Sequence, residues 1–212
     1  MDLGRSIDLE EQPTALAITD NGEQAFIGTE QGELLRWDTS CASCITAFSN
    51  DNGVITPIAI SPNGKTLAAI GVKGNLQVCS VGPSPPQCSE SSLGGWGYSV
   101  GFSEDSRWVG AASGVEGSSG LALVREVGTS KSILLKGHTE RISSIQFDRS
   151  CDRVITVSWG GTARIWDRSS GNELVRLVEP KGRMSTTGFS PNGQWVATVS
   201  NDRRCAFGRY PR

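Results

Sequence analysis

Apolar residues in this chain come in short runs that alternate with polar ones, and turn-prone residues separate the runs. The clearest stretch holds β-branched runs at 142–147, 153–158 and 162–166, followed by another at 173–178. Runs of this length and period predict half-buried or buried strands. The same reading predicts strands at about 14–19, 24–28, 33–38 and 44–48, then at 55–60, 66–71, 75–80 and 88–93. Further strands are expected at 98–102, 107–112, 120–126 and 131–136, and a last group at 184–189, 195–200 and 205–209. No segment has helical periodicity, so the chain reads as all-β.

One turn recurs through the pattern. Phe189-Ser-Pro-Asn-Gly193 ends a strand and starts a tight turn, with Pro at the second turn position and Asn-Gly after it. Ile60-Ser-Pro-Asn-Gly64, Ile18-Thr-Asp-Asn-Gly22, Phe102-Ser-Glu-Asp-Ser106 and Phe147-Asp-Arg-Ser-Cys151 fill the same frame. The frames start at 18, 60, 102, 147 and 189, spacings of 42, 42, 45 and 42. A period near 40–45 residues with four strands per unit marks a β-propeller. The units span about 14–48, 55–93, 98–136, 142–178 and 184–209 of a single domain covering 1–212. The last unit has three strands, and residues 5–10 alternate like a spare one. An N-terminal strand that completes the last blade would close the ring and cover a bare sheet edge. The expectation is five four-stranded blades closed by residues 5–10; the alternative is an incomplete propeller completed by another chain.

At Gly137-His138, Trp166-Asp167 and Trp37-Asp38 the sequence resembles the WD-repeat (WD40) family, and the resemblance covers nearly all of the chain. It implies a hydrogen-bonded blade lock made of His138, Ser158 or Thr156, and Trp166. The acidic residue of that set falls on Gly160, the other four units lack the His, and only the fifth keeps the acid, as Asp202. Family members usually have seven blades, and five is a departure. The Phe/Ile-Ser-Pro-Asn-Gly turn is also similar to that of bacterial WD-repeat domains attached to signalling ATPases, kinases or proteases.

Composition adds little that the pattern lacks. Twenty-six Gly and nine Pro suit many short strands and turns. There is no 18-residue apolar stretch and no basic-then-apolar N-terminus, so neither a membrane span nor a signal peptide is expected, and the chain reads as cytoplasmic. Charge is uneven: residues 1–60 carry 10 acids against 2 Arg, and residues 131–212 carry 14 bases against 7 acids. That asymmetry admits a nucleic-acid or anion reader, but Glu173, Glu179 and Asp202 interrupt the basic part, so nucleic acid is the least favoured partner. It also suits a seam at which the first and last blades meet. Of the six cysteines, only Cys41 and Cys44 form a close pair. No zinc site is expected. Cys79 and Cys205 read as small apolar strand residues, and Cys41 and Cys44 as flanking a turn.

The residues offer no chemistry. His138 has a structural role in the lock, and Gly117-Ser-Ser-Gly120 lacks the Lys and helix of a phosphate loop. No catalytic residue, metal or cofactor is expected. Binding is the better reading, because propellers gather the loops between blades and the hairpins between second and third strands on one face. That face receives Trp96 and Arg183 from loops, and Trp159, Arg203 and Arg204 from hairpins. Trp and Arg dominate interface energetics. The expectation is a protein-interaction or scaffold module with a protein partner. Its alternative is a sensor or regulatory propeller of a larger bacterial signalling or defence assembly.

Overall fold

The computed structural model describes residues 6–40, 45–49, 53–82, 86–179 and 182–209. Among them are nineteen strands in five antiparallel sheets, and no helix. The first sheet is β1 (Pro13–Ile18), β2 (Gln24–Thr29), β3 (Leu34–Asp38) and β4 (Ile45–Ser49). The second is β5 (Ile55–Ile60), β6 (Thr66–Gly71), β7 (Asn75–Ser80) and β8 (Cys88–Ser92). The third is β9 (Trp96–Phe102), β10 (Trp108–Gly114), β11 (Leu121–Glu126) and β12 (Ser132–Leu135). The fourth is β13 (Ile142–Phe147), β14 (Arg153–Ser158), β15 (Thr162–Asp167) and β16 (Glu173–Val178), and the fifth β17 (Met184–Phe189), β18 (Trp195–Ser200) and β19 (Arg204–Arg209). In every sheet the strands pair in sequence order, as the blades of a propeller do.

The recurring turn has a common side-chain scaffold. In the second blade the Ser61 hydroxyl donates to Asn63 Oδ1 over 2.8 Å and accepts from the Thr66 N–H over 2.9 Å. Asn63 Oδ1 also accepts from the Lys65 N–H at 3.0 Å. The same three bonds recur at Thr19, Asn21 and Gln24, at Ser103, Asp105 and Trp108, and at Ser190, Asn192 and Trp195. In the fourth blade Asp148 and Ser150 exchange roles. The chain then turns through a left-handed residue, with φ of 68° at Gly22, 69° at Gly64 and 65° at Gly193. Ser106 at 61° and Cys151 at 62° hold the same conformation with a side chain, which is why the turn survives where its glycine does not.

The core lies between blades. The first strand of each sheet packs on that of the next, β1 on β5, β5 on β9, β9 on β13 and β13 on β17. Phe26 and Leu34 of the first blade meet Ile55 and Leu67 of the second. Trp108 and Val124 of the third meet Ile142, Ile145 and Trp166 across to the fourth.

Two expectations change here. Residue 5 lies outside the described residues, but residues 6–10 form no strand, and the fifth sheet ends at β19. The Gln12 carbonyl accepts from the Glu30 N–H at the β2–β3 hairpin, which prolongs the β1–β2 pairing, and among the described residues β19 pairs with β18 alone. The second change concerns Cys79. It is the register partner of Cys88 across β7 and β8 and is joined to it by a disulfide, so it is not a free apolar strand residue. Free thiols among the described residues are Cys151 and Cys205; Cys41 and Cys44 lie outside them. The link closes a loop of about ten residues, worth about 2–3 kcal/mol of stability. Cys79→Ala/Cys88→Ala should therefore lose about that much in urea unfolding without reductant.

Candidate functional site

Two structures are built around the fourth blade: a lock inside it and a cleft above it. The lock begins at Gly137, whose φ of +152° and close approach to Trp166 and the Arg164 guanidinium exclude a side chain. This places His138 inside the blade, 2% exposed. Its Nε2 lies 2.7 Å from Thr156 Oγ1 and its Nδ1 2.8 Å from Thr162 Oγ1. The Trp166 indole N–H donates to the same Thr156 oxygen over 2.8 Å. A neutral imidazole satisfies all three contacts if Thr156 donates to Nε2 and Nδ1–H donates to Thr162. Thr162 thus supplies the acceptor for which the resemblance expects an acid. Ser158 is not part of the lock: its hydroxyl donates to the Glu140 carbonyl at 2.9 Å and accepts from the Gly160 N–H at 3.2 Å. Thr156, on the same face of β14 and nearer to Trp166 in the β14–β15 register, takes the role.

Burial pushes the His138 pKa down to about 3, aided by the Arg164 guanidinium and partly opposed by Glu173. With both ring nitrogens occupied inside the blade, His138 is not available as a general base.

The cleft lies above this lock, in loops from the third, fourth and fifth blades. The β14–β15 hairpin carries Trp159, whose N–H donates to the Arg141 carbonyl over 3.1 Å. The Arg141 guanidinium stacks 3.6 Å from the Trp159 ring centroid and donates to Tyr98 Oη over 2.7 Å. Arg183, from the loop entering the fifth blade, places its guanidinium 4.7 Å from the same ring. Glu116 spans the two cations, 3.0 Å from Arg141 Nη2 and 3.6 Å from Arg183 Nη2. Glu116, Glu140, Trp159, Glu179 and Arg183 line a cleft of about 530 Å³, with glycine backbone between them. Two guanidinia against one indole, joined by a carboxylate, hold an aromatic in place without enclosing it.

Sequence-expected face residues divide here. Trp159 and Arg183 come together in the cleft. Trp96, 58% exposed, opens β9 opposite Gly114; no contact joins it to Trp159 among those observed. Arg204 pairs with Glu179 at 3.1 Å and Asp202 at 3.4 Å, on the rim of the cleft. Arg203 is exposed and holds φ of 68°, the conformation that Gly161 has at 70° in the fourth-blade hairpin. Arg203→Gly should thus raise the unfolding free energy by about 1 kcal/mol, measured by urea titration. Arg141, Glu116 and Tyr98 were not legible as site residues. Arg141 directly before the apolar Ile142 was the available signal.

Among the described residues no three His, Cys, Asp or Glu side chains gather into a possible metal site, and no helix is long and apolar enough to cross a membrane.

Five antiparallel sheets with strands in sequence order, the fourth holding a His–Thr–Trp lock, define an all-β protein of the β-propeller type. Two stretches of it, residues 128–167 and 177–207, match the family model described as WD domain, G-beta repeat. An uncharacterized WD repeat-containing protein of Synechocystis is 26% identical over 71% of this chain and 42% of its own length. Coronin-7 of Bos taurus is 38% identical over 38% of the chain and 9% of its own length. The guanine nucleotide-binding protein subunit beta of Arabidopsis thaliana is 29% identical over 34% of the chain and 19% of its own length. The chain thus spans less than half the length of these relatives. WD-repeat proteins serve in general as scaffolds for protein interactions.

Proposed function

We propose that this chain is a non-catalytic protein-interaction module whose partner docks on the Trp159 cleft. The observation that carries this reading is the indole braced by Arg141 and Arg183 at the mouth of an open cleft. A large aromatic held in one orientation has little side-chain entropy left to lose on binding. Glu116 and Glu179 beside it already pair with Arg141, Arg183 and Arg204, so the aromatic surface and not net charge is what the cleft offers a partner. Trp159→Ala should abolish capture of that partner from the native host, and unchanged capture would refute this placement.

The alternative is a sensor or regulatory propeller of a larger bacterial assembly, a reading supported by the Ser-Pro-Asn-Gly turns at 61–64 and 190–193. Nucleic-acid binding is disfavoured: Arg141, Arg164, Arg168, Arg176, Arg183 and Arg204 each lie within ion-pair distance of a carboxylate, which breaks up the basic surface that phosphates would need. The cytoplasmic location suggested by the sequence would require the Cys79–Cys88 pair to be reduced in the cell, because disulfides persist mainly in oxidising compartments.

A further inference from the structure

Each blade passes an apolar face to the next. On the fourth blade that outgoing face is Ile155, Val157, Ala163 and Ile165, all buried under Met184, Phe189 and Val196 of the fifth. The register of the fifth blade puts Ala197, Val199, Cys205 and Phe207 in the corresponding places, since Ala197 pairs with Phe207 and Val199 with Cys205 as Ile155 pairs with Ile165 and Val157 with Ala163. Among the described residues no further blade packs on them: Phe207 is 69% exposed and stacks on its own blade's Trp195, centroids 4.7 Å apart. The first blade has the opposite vacancy. Leu16 and Ile18 correspond in register to Ile145 and Phe147 of β13, which pack on the third blade. Yet Leu16 is 70% and Ile18 54% exposed. One molecule therefore displays an outgoing face and an incoming face of the kind that its own blades join four times over.

We infer that the incoming face of the first blade, centred on Leu16 and Ile18, docks on the outgoing face of the fifth blade, centred on Val199 and Phe207, of a second copy of this chain. Both faces are exposed in the same molecule, so they are not engaged with each other. Their surroundings are electrostatically matched. Residues 6–49 carry eight acids against Arg36, and residues 182–209 carry four Arg against Asp202. Opposite charge favours this pairing and disfavours like ends meeting. The contact is head-to-tail, so each copy uses a different face. The inference is independent of the Trp159 cleft.

The test is light scattering on the full chain over a wide concentration range, with Leu16→Asp and Phe207→Asp. Wild type should rise above the monomer mass with concentration. Each variant alone should be monomeric, since every copy then lacks the same face, and a carboxylate buried without a partner weakens the contact at least about tenfold. An equimolar mixture of the two should form a one-to-one dimer and nothing larger, because one intact incoming face meets one intact outgoing face. Both substitutions are at exposed positions; if either lowers the melting temperature, Ile18→Asp and Val199→Asp replace them. Wild type that stays monomeric overturns the inference. So does a mixture that stays monomeric while wild type associates, since the intact outgoing face of one variant would then have failed to meet the intact incoming face of the other, and so does either variant that still associates alone, which is the mark of a like-with-like contact.

Discussion

Removing the imidazole of His138 is expected to cost about 3 kcal/mol of stability at neutral pH. The substitution His138→Ala leaves a cavity, removes the imidazole acceptor of the buried Thr156 hydroxyl, which keeps only the Trp166 N–H, and removes the imidazole donor to the half-buried Thr162 hydroxyl. A cavity and an unsatisfied buried polar group each cost about 1–3 kcal/mol. The acid limb of the stability curve should change as well. In the folded chain the imidazole takes up a proton only at about pH 3, against 6.5 for an unperturbed group. Between these values the unfolded chain binds a proton that the folded chain refuses. The stabilising contribution is thus complete above about pH 6.5 and is lost as the pH falls toward 3, by an amount on the order of 4 kcal/mol. Urea titrations from pH 7 down to pH 3 should show a shallower decline in His138→Ala than in wild type. A parallel decline would mean that the imidazole is not buried neutral. Thr156→Val, which removes the hydroxyl shared by His138 and Trp166, should destabilise less than additively with His138→Ala, since the three groups act as one set.

The second large effect falls on binding and leaves the fold in place. Trp159 lies in a hairpin loop outside the buried core, so Trp159→Ala should shift stability by no more than about 1 kcal/mol. Truncating a central aromatic anchor typically costs 2 kcal/mol or more of binding, roughly thirtyfold in affinity. Arg183→Ala should weaken binding less, because Arg141, the closer of the two cations and 8% exposed, still braces the ring. Arg141→Ala is a poorer probe, since it also frees Tyr98 and Glu116.

Local features of the fold were legible because each is written within a few residues. The Ser-Pro-Asn-Gly turn places its hydroxyl, its acceptor and its left-handed residue in one pentapeptide, and five such turns set the blade spacing. The lock was half legible. Gly137, His138 and Trp166 stand out as residue types, but Thr156 and Ser158 are both hydroxyls on one face of β14. Only their register against Trp166 separates them. The Cys79–Cys88 link depends on the β7–β8 register, which the proline-rich stretch between the two cysteines obscured. The cleft was least legible, because Tyr98, Glu116, Arg141, Trp159 and Arg183 come from three blades. Residue type alone marked Trp159 and Arg183 as it marked Trp96, although only the first two meet. The seam eluded the alternation rule for a different reason: residues 5–10 have the right pattern for a strand, but alternation without a paired neighbour does not make one, and residues 6–10 form none.

The most direct test of the interaction account begins with affinity capture from the native host, using the wild-type chain as bait. The captured protein is then titrated against wild type, Trp159→Ala and Trp96→Ala, with melting temperatures measured alongside. The account predicts that Trp159→Ala weakens binding by at least about thirtyfold at an unchanged melting temperature, while Trp96→Ala binds nearly as wild type does. Equal affinity for all three proteins would contradict it and move the interaction surface away from the cleft.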